Sequence, residues 1–183
     1  MIQLKIICIS GKARSGKDTS AEYLRRIFWG DGKRVLIIHN ADLLKYMCEK
    51  LFGWDGQKDE RGRSLLQYVG TDVVRAKNPD FWVEFIAKVL MMFPDRWDYV
   101  IIPDVRFPNE IAYLRGAGYE CVHLRVYRSA EDNMTQEQRA HPSETAMDDY
   151  EVDVAINNDG SIADLCRQLL SFKTQYYGGA DGY

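Results

Sequence analysis

At 183 residues, 46% apolar and 28% charged, the chain has the composition of an ordinary globular protein and the length of one domain with a sizeable core. A formal net charge of −3, with Lys and Arg scattered along the chain, offers no basic face for a nucleic-acid backbone, so a polymer partner is not expected. No apolar run approaches the roughly 20 residues of a membrane span, and a strand pattern starts too soon after Met1 to leave room for a signal peptide, so the expected location is cytoplasmic.

Residues 4–10 form a short, almost continuously apolar strand pattern that runs directly into Gly11-Lys-Ala-Arg-Ser-Gly16-Lys17 and then into a helical pattern. Strand, glycine loop and helix in that order make a phosphate cradle. Glycines let consecutive backbone N–H groups turn inward around phosphate oxygens, and the helix opening near Lys17 directs its positive dipole end at them. The plain alternative is a glycine-rich strand-to-helix turn. In the phosphate reading, Lys17 adds a point charge on the transferring phosphate. The residue after it is Asp18, which displaces the hydroxyl usually offered to magnesium by one position, to Thr19.

Ala21, Leu24, Ile27 and Phe28 recur at helical spacing and Gly30 with Gly32 supplies a stop, so the first helix is expected over 17–29. A second strand is expected over 34–40, where Val35-Leu-Ile-Ile38 is too continuous for a half-exposed strand and suits a parallel one covered on both faces. Strands alternating with helices imply an α/β sheet with right-handed crossovers. Asn40-Ala-Asp42 opens a helix to 51, the polar stretch 53–63 reads as a mobile loop, and two helical patterns follow over 64–76 and 80–93. A helical insertion over 41–97, on the carboxyl side of the sheet, is where an α/β enzyme places a second substrate. Gly70 stands inside a helical pattern at a cost of about 1 kcal/mol relative to alanine, which points to close helix packing or to close approach by a ligand. Trp82 reads as a core anchor or as a surface on which a base stacks.

Tyr99-Val-Ile-Ile102 is a third buried strand, ending in Pro103-Asp104-Val105-Arg106. A carboxylate at that end, beside a phosphate loop, is available to magnesium or to the acceptor, although Asp also ends many strands as a turn former. Arg106 suits bidentate contact with a phosphate. Pro108 begins a helix in whose first turn Glu110 either orients Arg106 or complements the helix dipole. A fourth strand over 119–127 ends in Arg128, a candidate phosphate contact together with Arg139 and His141, the latter two reading equally well as solvated charges. The polar segment 129–150 reads as a lid or a surface loop. A short strand over 152–157 leads through Asn158-Asp159-Gly160 to the capping box Ser161-x-x-Asp164 and a last helix, and the tail 178–183 is expected to be disordered. Cys8, Cys48, Cys121 and Cys166 are widely spaced and read as small core residues rather than disulfides or metal ligands.

The blocks GKARSGKDT, LLQYVGTDVV followed by FWV, IIPDVRFPNE, HPSET and AINNDGS, in this order along nearly the whole chain, resemble the phage-type deoxynucleoside monophosphate kinases. The GKDT and PDVR blocks are also similar to animal-type phosphomevalonate kinases, which share the P-loop kinase core. Relative to the phage-type family this chain is compact, with a shorter region between the second strand and the GTD block. The resemblance implies a three-layer α/β/α P-loop kinase fold in one domain, with a five-stranded, mostly parallel sheet, the insertion as acceptor-binding region and a lid over 128–150. It also implies transfer of the γ-phosphoryl of ATP, with Mg2+, to a deoxynucleoside 5′-monophosphate, in the bacterial or host cytosol for a phage-encoded chain.

By the same resemblance, Gly11, Arg14, Ser15, Gly16, Lys17, Asp18 and Thr19 surround the ATP phosphates and Asn158 with Asp159 falls near adenine. Lys12, Gly70, Thr71, Asp72, Trp82 and Glu144 attend the acceptor, and Asp104 and Arg106 bridge acceptor and metal. Lys17, Asp104, Arg106 and Arg128 are the catalytic candidates; Asp18, Thr19 and Asp104 are the metal candidates. A monophosphate has its second pKa at about 6 and needs no general base, whereas a hydroxyl acceptor would require Asp104 to take its proton. A kinase of another small phosphate ester remains the alternative, as does a nucleotide-binding module without kinase activity, and homodimer formation stays open.

Overall fold

The computed structural model describes residues 4–129 and 134–178. Its centre is β1 (Lys5–Ser10), a strand with apolar side chains on both faces. Alternate residues of a strand point to opposite sides, so Ile7 and Ile9 enter one core while Ile6 and Cys8 enter the other. On the first side lie α1 (Lys17–Gly30) and α8 (Ile162–Tyr177), contributing Leu24, Phe28, Leu165, Leu169 and Phe172. On the second lie α4 (Phe81–Met92) and α5 (Pro108–Gly116), contributing Val83, Ile86, Leu90, Ile111 and Leu114. At about 1.5–3 kcal/mol for each large aliphatic side chain withdrawn from water, these two layers hold the sheet.

The remaining strands are β2 (Val35–Ile37), β3 (Tyr99–Ile102), β4 (Glu120–Tyr127) and β5 (Val154–Asn157). The order across the sheet is β2-β3-β1-β4-β5, and every pairing is parallel. The carboxyl ends of β1, β3 and β4 therefore open on one edge, with the loop after β1 flanked by the turn after β3. The second strand is shorter than the 34–40 expected because His39 and Asn40 leave the ladder for carboxylates: His39 N–H donates to Asp42 at 3.0 Å and Asn40 N–H to Asp104 at 2.8 Å.

Between β2 and β3 lie α2 (Ala41–Phe52), α3 (Glu60–Gln67), a π-helical segment (Tyr68–Arg75) and α4. The third helix starts inside the stretch whose composition suggested a loop, because Asp59 caps it by accepting Gly62 N–H at 2.7 Å. Its continuation widens into a π-helix around Gly70, a geometry frequent at functional sites. Gly70 packs closely on α2: a Cβ there would meet Leu44 Cδ2 at 2.7 Å. Trp82 is 4% exposed in the satellite core of this insertion and donates its indole N–H to Gly70 O at 3.0 Å.

The polar segment after β4 contains α6 (Gln136–Ala140) and α7 (Pro142–Thr145), and it buries Met134, Gln138, Ser143 and Met147. Gln138 joins this segment to α3, donating to Glu60 O and to Ser64 Oγ, both at 3.0 Å. Ser161 and Asp164 form the expected reciprocal cap of α8. The expected disorder of the tail concerns residues that, apart from Gly178, lie outside those described. The four cysteines are free thiols, and among the described residues no helix is long and apolar enough to cross a membrane.

Candidate active site

The loop between β1 and α1 is shaped by two positions that accept no side chain. Gly11 has φ +149°, and a Cβ there would lie 2.4 Å from Val126 O; Gly16 has φ +99°, and a Cβ there would lie 2.3 Å from the Asn158 amide nitrogen. Only glycine fits. Asn158 is 7% exposed and donates to Ser15 O at 2.8 Å, so it braces the loop from beneath and does not line the cavity beside it. Ser15 Oγ is buried with no hydrogen-bond partner among the described residues. Lys17 folds back across the loop, donating to Gly11 O at 2.8 Å and Lys12 O at 2.7 Å.

Beside this loop a cavity of ≈ 520 Å³ runs from α1 to the helical insertion, and it brings together Arg14, Lys17, Asp18, Gly70, Thr71, Trp82, Asp104, Arg106 and Glu144 from the sequence-derived set. Burial, reinforced by the Arg106 charge, lowers the Lys17 pKa to about 8. Desolvation acts to lower the Arg106 pKa as well, but Glu144 and Asp104 hold it above its ordinary value. Arg106 donates to Ser143 O at 2.9 Å and pairs with the Glu144 carboxylate, which ties the strand edge to the segment over it. Asp104 accepts N–H groups of Asn40 and Ala41 at 2.8 and 3.0 Å, so it caps α2 from a distance while bordering the cavity.

Other members of that set lie elsewhere. Lys12 binds Asp148 at 2.6 Å and Glu144 O at 2.7 Å, fastening the loop to the segment after α7. Arg125, buried on β4, supports the same carboxylate at 2.7 Å. Asp72 is exposed and faces His141 at 3.4 Å in a separate hollow between the insertion and α6. Thr19 and Arg128 are exposed and do not line the cavity. Asp18, which does border the cavity, turns to His39 at 3.1 Å; the hydrogen bond lowers the pKa of Asp18 and raises that of His39.

Sequence reasoning missed Arg75, which lines the cavity at 8% exposure. Its guanidinium donates to Glu110 at 3.0 Å and to Asn109 at 2.6 Å, and lies 3.7 Å from the centre of the Phe107 ring. The other Glu110 oxygen accepts the N–H groups of Arg106 at 2.8 Å and Phe107 at 3.2 Å, so Glu110 holds the backbone of Arg106, not its side chain. Burial lifts the Glu110 pKa to about 7 against these donors. The available signal was a lone cation closing the apolar run Val73-Val74-Arg75, visible only if the residue is known to face inward.

Among the described residues no group of three or more His, Cys, Asp or Glu side chains is arranged to hold a metal. Magnesium usually keeps several waters and takes one or two carboxylates plus substrate phosphates, and Asp18 and Asp104 fit that smaller demand. For phosphates the fit is closer: a loop that excludes two Cβ atoms, a buried orphan hydroxyl and a desolvated ammonium suit a polyanion.

A family model described as deoxynucleotide monophosphate kinase matches residues 37–169. The chain is 33% identical over 158 residues to the uncharacterized protein ORF77 of Ictalurid herpesvirus 1, covering 86% of this chain and 65% of that protein. It is 33% identical over 110 residues to the deoxynucleotide monophosphate kinase of Enterobacteria phage T4, covering 58% of this chain and 43% of the phage protein. It thus spans less than two thirds of either relative. Among solved structures, the Mycobacterium tuberculosis APS kinase CysC in complex with AMPPNP and APS superposes with a TM-score of 0.52 at 14% identity, covering 93% of this chain and 98% of that one. That likeness shows the P-loop kinase fold.

Proposed function

Because the chain belongs to the deoxynucleotide monophosphate kinase family, we propose that it transfers the γ-phosphoryl group of ATP, with magnesium, to a deoxynucleoside 5′-monophosphate. The products are ADP and the deoxynucleoside diphosphate. The observation that carries this reading is the pair Lys17 and Arg106: two cations border one cavity and the Arg106 charge helps lower the Lys17 pKa, a repulsion that an anion between them relieves. One end of the cavity is the glycine loop, suited to the ATP phosphates. The other is bounded by Gly70, Thr71 and Arg75, suited to the acceptor nucleoside.

Little proton chemistry is required of the protein. The acceptor phosphate has a second pKa of about 6 and is already a nucleophile at neutral pH. Catalysis then consists of holding two phosphates in line and neutralising their charge. Lys17 and the loop amides hold the donor, Arg106 orients the acceptor, and Asp104 with Asp18 would hold magnesium, which would supply charge neutralisation to the phosphates. Glu144 pairs with Arg106, so an acceptor phosphate at Arg106 exchanges a carboxylate for a phosphate on the same guanidinium.

The test is a coupled ADP-release assay across deoxynucleoside monophosphates with ATP and magnesium. Turnover with one or more of them is the expected result. No turnover with any, together with phosphorylation of phosphomevalonate or another small phosphate ester, would overturn the assignment.

A further inference from the structure

Asn40 lies three residues beyond the end of β2 and stands at the cap position of α2, where an Asn side chain ordinarily accepts an N–H of the first helical turn. It makes no such bond. Asp104 has taken that task, accepting the N–H groups of Asn40 and Ala41 at 2.8 and 3.0 Å. The Asn40 carboxamide is released from capping and yet is 7% exposed, with both its oxygen and its nitrogen buried and lacking any hydrogen-bond partner among the described residues. Leaving a buried amide unsatisfied costs about 1–3 kcal/mol, so a native protein that retains one has a reason to. Asn40 borders the cavity of the proposed kinase site, so a turn about its side-chain torsions presents both polar atoms to a ligand there.

Its place along that cavity identifies which part of the ligand it meets. Its backbone is hydrogen-bonded to Asp104, whose charge is felt by both Lys17 and Arg106, so Asn40 lies close to the groups that handle phosphate. One helical turn further, Leu44 packs against Gly70, where the wall becomes apolar and continues to Trp82. An acceptor with its phosphate at Arg106 and its base toward Gly70 and Trp82 puts its sugar beside Asn40. A 2′-deoxynucleoside 5′-monophosphate has one free hydroxyl, the 3′-OH, which donates and accepts at once as a carboxamide does.

We infer that Asn40 is a specificity-determining residue whose carboxamide hydrogen-bonds the 3′-hydroxyl of the acceptor sugar. This rests on the kinase reading given above. The geometry requires that the protein discriminate against acceptors lacking that hydroxyl, because such a ligand leaves the amide buried and unpaired.

The experiment compares kcat/KM for 2′-deoxy and 2′,3′-dideoxy monophosphates of the same base, in the wild-type protein and in Asn40→Leu, which keeps the side-chain size without its polar atoms. The wild type is expected to disfavour the dideoxy acceptor by about 10- to 100-fold, and Asn40→Leu to lower this ratio to near one, mainly by slowing the deoxy substrate. Thermal unfolding without ligand separates a binding role from a structural one: Asn40→Leu, or Asn40→Ala if leucine unseats α2, should melt at or above the wild-type temperature, since it removes unsatisfied polar atoms. A discrimination ratio unchanged by both variants would overturn the role of Asn40 while leaving the kinase reading intact. An absence of turnover by the wild type on every monophosphate would overturn both.

Discussion

Replacing Gly16 by alanine tests how the phosphate loop is built, because the structure divides its effect into two parts. Gly16 has φ +99°, and the added methyl would stand 2.3 Å from the Asn158 amide nitrogen. The left-handed backbone costs an L-residue about 1–2 kcal/mol, and no adjustment of Asn158 avoids it. Asn158 must also withdraw from the methyl and give up its bond to Ser15 O, which leaves a buried donor and acceptor unsatisfied for about 1–3 kcal/mol more. Gly16→Ala should therefore destabilise by about 2–5 kcal/mol, and Asn158→Ala, which loses the hydrogen bond alone, by about 1–3 kcal/mol. The double variant pays for that bond only once and relieves the clash. It should be less destabilised than the sum of the single variants by about 1–3 kcal/mol, within the range seen for residues in contact. Urea unfolding of the four proteins, with a common m-value, measures this coupling. Additivity within about 0.5 kcal/mol would show that the two residues do not meet and would refute the account of Asn158 as a brace.

Other outcomes follow from the same geometry. Lys17→Met should reduce kcat by roughly 100- to 1000-fold, the range for removal of one preorganised transition-state contact. It should not lower ligand-free stability at pH 7. Burial holds the Lys17 pKa at about 8, below its ordinary 10.5, so the ammonium opposes folding fully below pH 8 and the penalty fades as pH rises toward 10.5; the stability difference between variant and wild type should fade with it in melts across that range. Arg106→Lys should raise KM for the acceptor more than KM for ATP, since a point charge cannot replace a planar fork, whereas Arg128→Ala, altering an exposed side chain away from the cavity, should leave both within about twofold in steady-state kinetics. Glu110→Gln should destabilise by about 3–5 kcal/mol through the stranded Arg75 charge, and the paired replacement Arg75→Met with Glu110→Gln, which keeps an oxygen for the Arg106 and Phe107 N–H groups, should recover most of this in chemical denaturation.

Local chemistry made a good part of this protein legible from the sequence. The continuous apolar run before Gly11, the glycine spacing up to Lys17 and the reciprocal Ser161 and Asp164 cap are short-range patterns whose physics is complete within a few residues. The same holds for the strand ending in Asp104 and for the parallel sheet implied by alternating strands and helices. Assignments that depend on where a side chain points across the fold could not be made this way. Asn158 and Arg128 both follow sheet strands toward the phosphate loop, yet one is turned beneath it by the Ser15 carbonyl and the other stands in solvent. Arg75 sits in an apolar run that reads as core, and only the packing of the π-helical segment against α5 sets it between Glu110, Asn109 and Phe107. Asn40 carries the residue type of a helix cap, and only the arrival of Asp104 from the turn after β3 frees its amide. The sequence by itself determined the elements and the phosphate loop because hydrophobic period, glycine and capping act over neighbouring residues; the tertiary structure decided which polar side chains face the cavity, because that depends on partners 35 to 143 residues away along the chain.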